Sequence, residues 1–234
     1  MYSKQRGNIL FLILLAVVLF AAISYAVTSN ERGQVKSAST ENVQLQAAQM
    51  EQYAGLLENV IQRIMLINDC KDTQIGFDNT AWKRINSASV HGANHNPNTP
   101  SDACRVFNPL GGGLPAQTFA GSAMAGCGGG CMRAGHPRVI VLSIEGVGTS
   151  APDLVLNIQY FPDAVCQQIN SDMGNGAILP SVSYTSTLWA GSYAGVTAVI
   201  GTGSSSALFG KRTGCALWGG NVNDTQFYHV LIAR

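Results

Sequence analysis

The stretch MYSKQRGNILFLILLAVVLFAAISYAVTSNERG, residues 1–33, decides how the rest of the chain is interpreted. No residue from Ile9 to Val27 is charged, and a helix of this length rises about 28 Å, close to the hydrocarbon thickness of a bilayer. Its strongly apolar residues give an insertion free energy on the order of −6 kcal/mol. Lys4 and Arg6 precede the run and are expected to stay in the cytoplasm. The sequence therefore predicts a membrane-spanning helix with the following domain on the other side.

A cleaved secretory signal is the competing interpretation of this stretch. Ser24-Tyr25-Ala26 fits a small-x-small cleavage site. However, the apolar run is longer than the ~7–15-residue core that is typical of cleaved signals. We therefore expect the helix to be retained, with residues 8–30 as a transmembrane and assembly helix.

The basic, polar leader MYSKQRG ends at Gly7, directly before the apolar run. This junction resembles the class III signal of type IV pilins and pseudopilins. The resemblance implies that prepilin peptidase removes residues 1–7, cutting after Gly7, and that Asn8 becomes the methylated first residue. The residues that it places in the bundling helix are Phe11, Leu12, Leu15 and Leu19.

The chain departs from that family at two positions. The family usually has Phe or Met where Asn8 stands, and Glu where Leu12 stands. The family's Glu is thought to pair with the N-terminal amine of a neighbouring subunit during assembly. A tip subunit without this Glu is known in the family, so Leu12 points to a minor subunit or to a protein that does not polymerise.

The helix is predicted to continue beyond the membrane as an amphipathic segment, residues 31–68. Residues 28–40 are polar, and Gly33 marks a weak spot in the helix or a short break. Apolar residues then recur at helical spacing, widened into a broad stripe by Leu56, Ile61 and Met65. The stripe itself consists of Met50, Tyr53, Leu57, Val60, Ile64 and Ile67. A coiled coil would show the same spacing, but over only about three heptads, and we expect the stripe to pack on a sheet of its own domain.

Composition limits what residues 69–234 can be. The whole chain has 234 residues, net charge +1, only 12% charged residues and 26 glycines, which favours a loop-rich, partly β domain with a single core. A nucleic-acid-binding protein is usually strongly basic, so no nucleic-acid partner is expected.

Segments of this domain predict an α+β fold with an antiparallel sheet. Arg138–Ile144 and Leu154–Phe161 read as the strands of a hairpin. A short helix follows, starting at Pro162 and stopping at Gly174. Residues 225–234 alternate enough to form a closing strand that is central or pairs with the hairpin, whereas residues 69–137 are expected to be mostly loop.

The six cysteines all follow the apolar run, and an even number behind an export signal predicts disulfides. The cysteines are Cys70, Cys104, Cys127, Cys131, Cys166 and Cys215. They allow 15 complete pairings, which sequence alone does not resolve. The pilin resemblance favours Cys166–Cys215, which would close a C-terminal loop. Cys127–Cys131 and Cys70–Cys104 are further candidate pairs.

Candidate chemistry is sparse. Cys127, Cys131, Met132 and His136 are all possible metal ligands, but an exported C-x3-C is more often a disulfide. His91 and His95 are four residues apart and could bind one metal ion if they lay on a helix. However, the glycine, asparagines and proline of this segment oppose a helix. No G-x-S-x-G elbow or P-loop is present. We expect no enzymatic activity, metal or cofactor.

The sequence therefore predicts a structural subunit of a type IV pilus or of a type II secretion pseudopilus. The expected partners are identical or related pilin subunits, the inner membrane and prepilin peptidase. The expected location is the bacterial inner membrane before assembly, with the outer domain in the periplasm or on the cell surface. The alternative is a single-pass anchored periplasmic or cell-surface binding protein that does not polymerise.

Overall fold

The computed structural model describes residues 8–82, 94–119, 136–176, 178–183, 187–194, 199–221 and 224–234. In the first helix, side chains are described for residues 13–21 and 39–67. The chain divides into two compact units, Met1–Val43 and Gln44–Arg234.

The first helix, α1, spans Asn8–Ile67 and runs through residues 28–40 without a break. In the second unit one side of α1 is buried, and its residues follow the helical period. They are Ala47, Met50, Tyr53, Ala54, Leu57, Ile61 and Ile64. The expected stripe is thus confirmed at Met50, Tyr53, Leu57, Ile61 and Ile64.

The prediction that Leu56 and Ile67 belong to this buried side is wrong, since they are 44% and 73% exposed. The buried side is centred further around the helix, where Ala47 and Ala54 are completely buried. Leu56 therefore faces away from the core, and Ile67 is the last residue of the helix.

A mixed sheet forms the centre of the second unit. Its strands are β1 (Pro137–Ile144), β2 (Asp153–Gln159), β3 (Ser181–Val182), β4 (Thr187–Leu188), β5 (Val199–Ile200), β6 (Thr213–Trp218) and β7 (Thr225–Ile232). The strand order is β3-β6-β7-β2-β1-β4, and β5 also pairs with β1. The prediction of a purely antiparallel sheet needs correction, because β1–β5 and β3–β6 are short parallel pairs.

The predicted hairpin and closing strand are confirmed. β1 and β2 are antiparallel, with Pro137 opposite Ile158 and Leu142 opposite Asp153. β7 lies centrally between β2 and β6. The predicted short helix, α2, spans Asp163–Asp172, and Gly174 follows it in the left-handed conformation typical of a helix stop (φ 65°).

Both faces of the sheet are covered. Side chains alternate between the faces along a strand, so His229 and its cross-strand partner Leu156 share one face. Contact between His229 and Glu58 of α1 identifies that face as the one covered by the helix. The opposite face holds a separate apolar cluster that includes Ile140, Val155 and Val230. Every residue of β2 is accordingly buried.

Buried amides connect β2 and β7 in the middle of the sheet. Asn157 Nδ2 donates to the carbonyl oxygen of Phe227 at 3.0 Å and to Gln226 Oε1 at 3.3 Å. Gln159 Nε2 also donates to Gln226 Oε1. Arg138 Nε of β1 donates to Asn157 Oδ1 at 2.8 Å. These polar groups are therefore satisfied although the strands around them are apolar.

Outside helices and strands, the described parts of residues 69–137 contain little regular structure. They form 3-10 turns at Asp72–Gln74 and Asp102–Cys104 and one isolated bridge between Gly76 and Arg105. A third 3-10 segment, Gly203–Leu208, precedes β6. The expectation of a loop-rich region after α1 is confirmed for the described residues.

Candidate assembly surface

Apolar side chains of the first unit are exposed on all sides of α1. Every residue from position 13 to 21 is exposed. The large aliphatic and aromatic ones range from 47% exposed at Leu15 to 73% at Phe20. Successive helical residues point about 100° apart, so this run surrounds the helix axis. A helix that is apolar all round requires a surrounding apolar medium or other helices.

The predicted processing and bundling residues are only partly within the described region. Gly7 lies outside it, and Asn8 is the first residue of α1. The side chains of Phe11 and Leu12 also lie outside it. Leu15 and Leu19 are exposed, at 47% and 55%. The described residues include no helix whose length and hydropathy would be sufficient to cross a membrane.

Two disulfides link distant parts of the second unit. Cys70–Cys104 joins the segment after α1 to a 3-10 turn, and Cys166–Cys215 joins α2 to β6. All four described cysteines are thus paired, which confirms the expectation of disulfide bonding. Cys127 and Cys131 lie outside the described residues, so their candidate pairing stays a prediction.

A second link between α2 and β6 is made by Asn170. Its Nδ2 donates to the carbonyl oxygen of Cys215, and the Cys215 amide donates to its Oδ1, each at 2.8 Å. The side chain therefore occupies the backbone groups that a neighbouring strand would use. Together with the disulfide one turn earlier, it fixes α2 against the outer side of β6.

A polar cluster connects α1 to the end of the sheet. Glu58 accepts hydrogen bonds from Arg212 Nη2 at 2.7 Å and from His229 Nε2 at 2.9 Å. Because the carboxylate only accepts, His229 carries its proton on Nε2, and its Nδ1 accepts from the Thr213 hydroxyl at 2.7 Å. Burial lowers the pKa of His229 below its usual value, and the hydrogen bond to Glu58 partly offsets this shift.

The hydroxyl, imidazole and carboxylate of this cluster are the groups found in acyl-transfer triads. In this structure they join α1 to a cross-strand pair. Thr213 of β6 lies opposite His229 of β7, and both residues are half-buried. The Glu58 carboxylate of α1 contacts the other nitrogen of the imidazole. The cluster therefore positions α1 on the sheet.

Two carboxyl groups of the second unit have strongly raised pKa values. Burial raises the pKa of Glu51 on α1 to about 7, and Asp172 of α2 adds to the shift. Burial raises the pKa of Asp153 to about 6, although the amides of Arg234 and Ile144 donate to it and oppose the change. Glu51 Oε1 is buried and has no hydrogen-bond partner, so its charge at neutral pH opposes folding.

The other candidate residues do not form a metal site within the described region. His95 Nδ1 lies 2.7 Å from Asp78 Oδ1, an ion-pair geometry on a loop. His136 is described and partly buried, whereas His91 and Met132 lie outside the described residues. No three His, Cys, Asp or Glu side chains of the described residues converge on one point.

Sequence reasoning did not identify Glu58, Asn170 or His229. Each is a polar residue within a helix or strand, and its neighbours in the sequence do not distinguish it from a solvent-exposed residue. Their roles depend on contacts between residues as far as 171 positions apart. One indication of His229 was present in the sequence. The closing strand was expected to be central or paired with the hairpin, and polar residues of a central strand are covered on both faces of the sheet.

No family model, curated protein or solved structure matches this chain.

Proposed function

We propose that this chain is a pilin-like subunit of a type IV pilus or of a type II secretion pseudopilus. In this proposal α1 holds the unassembled subunit in the inner membrane through residues 8–30. Copies then leave the lipid as their helices bundle, and the second unit forms the outer surface of the filament. Related pilin subunits, the inner membrane and prepilin peptidase are the partners.

The observation that carries the proposal is the exposed apolar run of α1 at residues 13–21. Burying even half of such a helix removes a few hundred Å² of apolar surface from water. At about 25 cal/mol per Å² this contributes several kcal/mol per set of subunit contacts. A bilayer satisfies the run before assembly, and neighbouring helices satisfy it afterwards.

Three further features support this function. The leader before the apolar run carries Lys4 and Arg6 and ends at Gly7. The second half of the same helix is buried in a domain with a central sheet. Finally, Cys166–Cys215 closes a C-terminal loop, and such bonds persist in oxidising compartments such as the periplasm.

An anchored binding protein that does not polymerise is the second candidate, and Leu12 favours it. A carboxylate inside a membrane is costly and is normally kept for a function. Leu12 stands where the resembling family keeps its Glu, so this chain lacks that assembly contact.

The test is expression of the full chain in a bacterial host with and without prepilin peptidase. We expect the intact mass to fall by residues 1–7 only when the peptidase is present, with Asn8 as the first residue. A Gly7→Leu variant is expected to keep its leader. Sheared filaments imaged by electron microscopy should contain the processed chain. A mature chain that starts after Ala26 would contradict the proposal, and processing without filaments would favour the anchored binding protein.

A further inference from the structure

The turn that follows α2 contains the only Asn-Gly pair in the sequence, Asn175-Gly176. In such a pair the nitrogen of the following residue can attack the side-chain amide of the asparagine. Glycine offers the least hindrance to this approach because it has no side chain. The pair is therefore a candidate site of spontaneous covalent modification.

The attacking nitrogen of this pair is accessible. Gly176 is exposed, and its amide donates to no group of the residues that the structure describes. Gly176 has a positive φ of 84°, and a Cβ atom placed on it would meet nothing within 4 Å. The backbone can therefore rotate here toward the Asn175 side chain without displacing a neighbouring group.

The Asn175 side chain is held by only one of its two polar atoms. Its Nδ2 donates to the carbonyl oxygen of Thr213 in β6 at 3.0 Å. Its Oδ1 is buried and has no hydrogen-bond partner among the described residues. A buried amide oxygen without a partner has lost its hydration at a cost in free energy. Moving the side chain toward Gly176 restores that hydration, which lowers the cost of the movement.

Asn170 provides a comparison within the same molecule. Like Asn175, it donates its Nδ2 to a carbonyl oxygen of β6, that of Cys215. However, Asn170 is completely buried, and its Oδ1 accepts from the Cys215 amide. The next residue, Ser171, lies inside α2, where backbone amides are hydrogen-bonded within the helix. Asn170 therefore lacks both a free attacking nitrogen and a side chain that can move.

We propose that Asn175 is converted in the folded protein to a mixture of aspartate and isoaspartate. The Gly176 nitrogen forms a bond to Cγ of Asn175, the bond from Cγ to Nδ2 breaks, and Nδ2 leaves as ammonia with the proton of the Gly176 amide. Water then opens the resulting five-membered ring at one of its two carbonyl carbons. Opening at Cγ gives aspartate, and opening at the backbone carbonyl gives isoaspartate. Water is the only co-reactant, and the inference does not depend on the proposed function.

The modification removes one link between the end of α2 and the start of β6. A carboxylate at residue 175 has no proton to donate, so it does not replace the hydrogen bond to the Thr213 carbonyl oxygen. The new negative charge also stands three positions after Asp172, the last residue of α2. Modified chains are therefore expected to unfold at a lower temperature than unmodified chains.

The test incubates the detergent-solubilised full chain in mildly alkaline buffer and follows residue 175 by peptide mass spectrometry. We expect this position to gain about 1 Da with time, an isoaspartyl methyltransferase to label it, and Asn170 to stay unmodified. Gly176→Ala should slow the reaction several-fold. The matched control is Gly174→Ala, which also places alanine at a positive φ with open space around it but keeps the reacting pair. It should react at the wild-type rate.

A second arm measures the effect on stability. Asn175→Asp should lower the unfolding temperature, whereas Asn221→Asp, the same change at an exposed asparagine, should leave it near the wild-type value. Equal unfolding temperatures for these two variants would contradict the loss of a link to β6. The inference is overturned if Asn175 stays intact in the folded chain, if it reacts only after unfolding in urea, or if Gly176→Ala and Gly174→Ala react equally fast.

Discussion

Gly148 lies so close to the carbonyl group of Arg234 that a Cβ atom on this glycine would overlap with the carbonyl oxygen. The neighbouring Thr149 amide donates to the same oxygen, and the Arg234 amide donates to Asp153 Oδ1 at 2.9 Å. The turn between β1 and β2 is thereby fastened to the segment that follows β7. A glycine is required here for space as well as for its positive φ of 60°.

Gly148→Ala is therefore expected to be much more destabilising than Gly174→Ala. Both glycines have similar positive φ values, but a Cβ atom on Gly174 meets nothing within 4 Å. Gly174→Ala is the control, and it should lower the stability only by the roughly 1–2 kcal/mol that alanine needs to adopt the left-handed conformation. Gly148→Ala must in addition displace the backbone at Arg234. Thermal unfolding of the detergent-solubilised full chain measures the difference, and equal midpoints for the two variants would rule out the close approach.

Asn170→Ala is expected to destabilise the second unit by about 1–3 kcal/mol, because it leaves the buried amide and carbonyl of Cys215 without partners. Gln167→Ala is the matched control, an exposed position on the same helix. The unfolding midpoint should fall for the first variant and stay near the wild-type value for the second. A similar small effect of both substitutions would show that Asn170 does not hold β6.

Removing the Cys166–Cys215 disulfide by a double alanine substitution is expected to cost about 4 kcal/mol. The bond closes a loop with a sequence separation of 49. In the chain-entropy model, closing a loop of this size lowers the entropy of the unfolded chain and stabilises the fold by about that amount. Differential scanning calorimetry of the oxidised wild type and the double variant tests this. The expectation fails if the two proteins unfold at the same temperature.

Glu51→Gln is expected to stabilise the protein above pH 7 and to have little effect near pH 4.5. The folded pKa of about 7 lies above the unfolded value of 4.5, so the wild-type carboxyl favours folding below the unfolded pKa and loses this contribution as pH rises through 7. Because the side chain is partly hydrated, the gain at pH 8 should be on the order of 1 kcal/mol.

Unfolding midpoints measured from pH 4.5 to pH 8.5 give this pH dependence. Glu41→Gln is the control, since Glu41 is an exposed carboxylate on the same helix. A flat difference between wild type and Glu51→Gln across this range would mean that Glu51 ionises as it would in water.

Elements with a regular apolar pattern, or with clear start and stop residues, were predictable from sequence. The apolar alternation of β1 and β2, and Pro162 with Gly174 around α2, reflect local physical preferences that tertiary contacts reinforce. β6 was missed because Thr-Gly-Cys-Ala-Leu-Trp contains a glycine and little β-branching. It is a strand only because β7 and β3 pair with it.

The polar contacts of the site were not predictable in the same way. Glu58 fits the solvent side of an amphipathic helix, and nothing local shows that His229 lies across from it. The exposure of Leu56 likewise depends on how far α1 is rotated about its axis on the sheet. Ala47 and Ala54 are completely buried on the side of α1 that faces the core, and alanine contributes little to an apolar stripe read from sequence.

The buried amides of Asn157, Gln159 and Gln226 have a consequence for how the strands find each other. Aliphatic side chains on β2 and β7 would tolerate several registers, since one apolar contact can replace another. Shifting the register of either strand by one residue would leave these buried amides without their present hydrogen-bond partners. The three amides therefore specify the register of β2 against β7. Apolar replacements at these positions would remove that specificity, and the two strands would mispair more readily.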